Sequence, residues 1–97
     1  MSDYYDREGR PMEMMAWTRR FSNLDYKRVA SDYDGDVHVS TVWLGLDHSF
    51  GEGPPLIFET LVFGGPLDGE MDRYSTLEQA RAGHAAMLER VKTGAKP

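Results

Sequence analysis

Ninety-seven residues without a cysteine, with sixteen acidic side chains against eleven basic ones, carry a formal charge of −5 and exclude both a disulfide scaffold and a thiolate metal centre. The acidic balance argues against direct nucleic-acid binding, because phosphate contacts are made by Lys and Arg. No apolar run approaches the ~20 residues that span a bilayer, and "MSDYYDREGR" lacks the basic-then-apolar order of a secretion leader, so the expected setting is cytoplasmic.

The whole of 1–97 reads as a single domain with one thin core. Residues 1–11 form an N-terminal turn segment marked by "DREG" and Pro11. A helix is expected over 12–22, where Met14, Trp17, Phe21 and Leu24 recur on one face. Arg19 and Arg20 fall at its C-terminal end, which favours cations.

Four strands are expected over 26–74. "YKRVASDY", "DG" and "DVHVSTVWLGL" read as a hairpin, with Asp34-Gly35 as the two central turn residues. That turn pairs Tyr33 with Asp36, Val29 with Ser40 and Tyr26 with Trp43. Val37, Val39 and Trp43 then share a core face with Ala30 and Tyr26. "PLIFETLVF" is a third strand, rich in β-branched and aromatic residues. "GGPLDG" turns it into a short fourth, "EMDRY".

The last helix, 75–92, opens on a capping box of Ser75 and Glu78 and turns Leu77, Ala80, His84, Met87, Leu88 and Val91 inward. The tail 93–97 has nothing to bury and is expected to fray. The fold class is α+β: a two-layer αββββα domain whose four-stranded antiparallel meander carries two helices on one face.

In a meander the first and third turns share one end. Asp32, Asp34 and Asp36 therefore meet Asp68 and Glu70, with Asp72 near them, in an acidic rim suited to a basic protein surface. "DYDGD" lacks the spacing and the closing Glu of a calcium loop, and no metal or cofactor is expected. The opposite end carries the loop "LGLDHSFGEGPP". There Trp43, Asp47, His48 and Phe50, with Glu59 on the third strand, form the only grouping with acid–base or ligand-stacking potential. The simpler reading is that Asp47 caps the strand end and His48 and Phe50 fold over the sheet edge. Glu59 and His84 are both read as structural, each needing a partner if buried.

Helices on one face leave the other face of the sheet to solvent. It is expected to carry Lys27, Val29 and Tyr33 beside His38, Ser40, Val42 and Leu44. An apolar-aromatic patch with a polar rim marks a protein-binding surface or a homodimer interface. Tyr33, Val42, Leu44 and the rim acids are the candidate contact residues.

The blocks "TVWLGLDH" and "GPPLIFET", within a stretch running from "YYDREGRP" to "AGHAAMLERV", resemble a family of small uncharacterised proteins of actinobacteria, their prophages and their phages. The resemblance implies a phage or mobile-element setting and brings no catalytic residues. The expected function is non-enzymatic: an acidic accessory factor that binds a basic or host protein, with inhibition of a host defence protein as one form. The rival is a ligand binder or metal-dependent hydrolase built on Asp47, His48 and Glu59.

Overall fold

The computed structural model describes residues 3–49 and 53–94. Two N-terminal helices, α1 (Met14–Phe21) and α2 (Leu24–Lys27), precede strands β1 (Arg28–Asp34), β2 (Val37–Trp43), β3 (Phe58–Phe63) and β4 (Met71–Tyr74). A long helix, α3 (Leu77–Thr93), closes the chain. The strands form one antiparallel sheet in the order β1-β2-β3-β4, the meander that the short turns imply. Helix α3 runs across all four strands on one face.

The first hairpin turns one residue later than the Asp-Gly dipeptide suggests. Asp34 pairs with Val37, so Gly35 and Asp36 are the central residues, and Tyr33 faces His38 where the sequence suggested Asp36. The reason is conformational. Only Gly35 has a positive φ, at 60°, and neither Asp34 nor Asp36 enters that region. A turn with positive φ at its first central position alone is the II′ pattern, which places Gly there. The register moves by two, so each side chain keeps its face.

Farther along, the pairing slips between Arg28 and Ala30, and this bulge turns Val29 inward against Trp43. Val29 is therefore absent from the open face expected to carry it. Tyr26 is also not a strand residue. Asn23 accepts the backbone N–H groups of Asp25 and Tyr26, starting the single helical turn of α2. Leu24, expected on the first helix's apolar stripe, lies in that turn and is 66% exposed.

Between sheet and α3 the core falls into two clusters. One joins Val39 and Val62 to Leu67 and Met87, with Val37, Leu88 and Val91 packed against it. The other joins Trp43, Ile57, Phe58 and Ala80. Full burial of side chains this large is worth ~1.5–3 kcal/mol each, so these eight residues carry much of the folding energy. Helix α3 is capped one residue later than the sequence suggested. Thr76 Oγ1 accepts the Gln79 N–H, and Gln79 Oε1 accepts the Ser75 N–H, in place of the Ser75–Glu78 box.

The N-terminal segment joins the core edge. Tyr4 bridges to Leu46 and Tyr5 to Pro11, and Asp6 Oδ1 accepts the N–H groups of Glu8 and Arg10 to hold the turn between them. Tyr5 and Met12 then pack on the Trp43 cluster with Trp17 and Phe21 of α1. Both indoles donate to backbone carbonyls, Trp43 to Tyr5 at 3.0 Å and Trp17 to Leu44 at 2.9 Å. Tyr26 meets Trp43 edge-on at 4.9 Å.

Candidate functional site

The sheet face opposite α3 has no secondary-structure element on it among the described residues. Cross-strand registration sets its side chains in rows. Tyr33, His38 and Phe63 face one another across β1, β2 and β3. The Tyr33 ring stacks on His38 at 4.3 Å and 7°, and His38 on Phe63 at 5.7 Å and 26°. The next row is Ser31, Ser40, Leu61 and Met71, and Ser31 Oγ lies 2.7 Å from His38 Nε2. A third row sets Arg28 against Val42, Glu59 and Arg73. Tyr33 is 67% exposed, Phe63 48% and Met71 44%, values that put three large apolar side chains into water on one face. Beside the aromatic row, a groove of about 280 Å³ runs between α2 and β2, lined by Leu24, Lys27, Arg28, Tyr33, His38 and Val42.

Of the expected contact residues, Tyr33 and Val42 belong to this face. Leu44 does not line the groove. It sits half-buried past the end of β2, where its carbonyl accepts the Trp17 indole. Phe63, Leu61, Met71 and Arg28 were missed. Strand alternation from Tyr33 and His38 would have found them once β3 was paired with β2.

The acidic rim is thinner than expected. Asp32 Oδ2 lies 2.8 Å from His84 Nε2, on the helix side of the sheet. Glu70 pairs with Arg90 at 2.9 Å, and Asp68 Oδ1 accepts the Gly64 N–H. Asp72 pairs across strands with Thr60, a buried residue of the helix-facing side. Asp34 and Asp36 remain exposed at the hairpin tip without an ion pair among the described residues.

The Asp32 contact opens a buried polar chain. His84 Nδ1 lies 2.7 Å from Thr41 Oγ1, and Thr41 is hydrogen-bonded to Thr60. An acid, an imidazole and a hydroxyl in this order suit nucleophilic chemistry. Here Thr41 and Thr60 have no exposed surface, and His84 has 5%, so a substrate has no approach. The chain fastens α3 to β1, β2 and β3. His84 is thus structural as expected, with two partners in place of one. Tyr74 lies at the same interface, its hydroxyl buried without a well-formed hydrogen bond. Burial pushes that phenol up, the Thr60 hydroxyl pulls it back in part, and the Asp72 charge adds to the rise.

In the loop after β2, Asp47 Oδ1 accepts the N–H groups of Ser49 at 2.8 Å and Leu56 at 3.0 Å, closing the loop on itself. Burial, the largest influence on this carboxyl, opposes ionisation. The Ser49 and Leu56 hydrogen bonds and the His48 ring outweigh it and hold the pKa below its ordinary value. Asp47 is therefore the strand-end cap of the simpler reading. Glu59 points to the open face and binds Arg73 Nε at 3.1 Å, half-buried and paired. Trp43 cannot stack on a ligand: it has no exposed surface and lies under Tyr26, Phe21 and the N-terminal segment. Phe50 lies outside the described residues. No group of three His, Asp or Glu able to hold a metal occurs among the described residues.

The chain is an α+β protein built on a four-stranded antiparallel meander with a C-terminal helix packed on it and short N-terminal helices. Comparison with protein-family models, curated proteins and solved structures finds no match. No helix among the described residues is long and apolar enough to cross a membrane.

Proposed function

We propose that this protein is a non-enzymatic accessory factor that works by docking another protein surface on its uncovered sheet face. One observation carries the reading: the row Tyr33–His38–Phe63, with Met71 beside it, stands in solvent on a side that α3 leaves bare. Exposed apolar-aromatic patches of this kind with a charged margin are typical of protein interfaces. The sequence resemblance to phage and prophage proteins makes a host protein, including one of a defence system, the class of target to screen. Absence of catalysis is supported by the separate commitments of Asp47 to its loop and Glu59 to Arg73.

The test compares two variants. The double change Tyr33→Ser, Phe63→Ser is expected to abolish retention of a stoichiometric partner while leaving the thermal midpoint within a few degrees of the parent. His48→Ala is expected to keep both. If His48→Ala alone abolishes function at an unchanged midpoint, the protein is an enzyme or a ligand binder of the 47–55 loop.

A further inference from the structure

We propose that the occupant of the uncovered face is a second copy of this chain, stacked sheet on sheet about a two-fold axis perpendicular to the strands. The inference rests on the reading of that face as a docking surface and adds the identity of what docks.

Charge distribution selects the occupant and the axis. One end of the face is basic: Lys27 and Arg28 stand where β1 begins, and Arg73 stands near the end of β4. Lys27 Nζ sits 3.7 Å over the Phe21 ring, and Arg28 has no ion pair among the described residues. The other end is acidic, with Asp34 and Asp36 at the first hairpin and Asp68 in the turn after β3. A two-fold axis along the strands would set β1 over β4 of the mate, placing Arg28 over Arg73 and acid over acid. An axis across the strands sets each strand over its own copy, reversed. Arg28 then covers Tyr33 of the mate, a cation over an aromatic face, and lies next to the mate's Asp34. Met71 and Leu61, in the middle row, meet their own copies near the axis. The surface is self-complementary in this one orientation, as an isologous interface must be.

The size agrees with a weak dimer. Four strands ~4.8 Å apart with about six residues each at ~3.3 Å rise give a flat footprint of roughly 400 Å². Two such faces with side-chain relief remove on the order of 1,000 Å², near the lower bound for a specific interface.

Sedimentation velocity on the intact chain, from micromolar to millimolar concentration and at low and high salt, reads the result. The expected outcome is a mass rising from one chain to two, with weaker association at high salt. Phe63→Glu should remain a monomer with the circular dichroism of the parent. Arg28→Asp should weaken association about tenfold or more, and Asp34→Arg added to it should restore most of the loss. A chain that stays monomeric throughout, or a dimer indifferent to Phe63→Glu or to the charge swap, overturns the proposal. In the monomeric case, loss of a different protein's binding on Phe63→Glu keeps the docking face and replaces its occupant. If no binding of any kind responds to Phe63→Glu, the docking reading falls as well.

Discussion

Thr41 shows how a short polar side chain can be fully buried in an apolar layer. Its hydroxyl lies between Thr60 and His84, and the His84 ring passes the chain on to Asp32 at the solvent edge. Each member satisfies a neighbour that could not otherwise be buried without cost. Thr41→Val keeps the volume but strands the His84 and Thr60 groups, and is expected to cost ~1–3 kcal/mol in urea unfolding. His84→Ala removes the ring as well and should cost more, ~2–4 kcal/mol, through the added cavity. Asp47 belongs at the same scale, with a different signature. Its pKa is depressed in the folded chain, so its contribution to stability is complete above the unfolded carboxyl pKa of about 3.9 and is lost as pH falls through the lower folded value. Asp47→Asn should therefore be less stable than the parent at pH 7, and the gap between their urea midpoints should narrow below about pH 4.

At the scale of elements, the fit of α3 against the sheet depends on an absent side chain. A Cβ at Gly83 would lie 2.2 Å from the Tyr74 hydroxyl and 2.3 Å from its ring, so the helix approaches β4 only because that position is bare. Gly83→Ala raises intrinsic helix propensity by ~1 kcal/mol, yet it should lower the thermal midpoint, because overpacking a fitted interface costs ~1–3 kcal/mol. The four strands and the inward stripe of α3 were legible because period-two and period-3.6 patterns are set by burial of one face. The hairpin's pairing was not, because Asp-Gly and Gly-Asp are both good turn dipeptides and only backbone φ at residue 35 decides between them. The capping box failed for a similar reason: "STLEQ" offers two registers, and Thr76 with Gln79 is the one that packs. The bulge at Val29 and the role of Tyr4 and Tyr5 follow from contacts distant in sequence, which local patterns do not encode.

The whole molecule has one covered side and one bare side, and that division organises its chemistry. The acids expected to form a rim are drawn partly toward the helix side through Asp32 and Glu70. The candidate surface is therefore aromatic first and charged at its ends. It was only half legible: Tyr33 and Val42 could be placed from the first hairpin, whereas Phe63 and Met71 needed the pairing of β3 and β4. Phe63→Thr, a β-former at an exposed strand position, should change stability by no more than about 0.5 kcal/mol while reducing association of any kind, and paired unfolding and light-scattering measurements check both halves.

The two indoles offer an optical consequence of the N-terminal layer. Trp17 rests on Tyr4 and Phe21 in a helix with no fully buried residue, while Trp43 is sealed in the sheet. With Trp17→Phe and Trp43→Phe prepared separately, emission from the remaining indole dates a different event. Lifting of the α1 layer should redden Trp17 at lower denaturant than the global transition seen by α3 ellipticity, whereas Trp43 should lose protection when its covering layer lifts and complete its shift as the sheet opens.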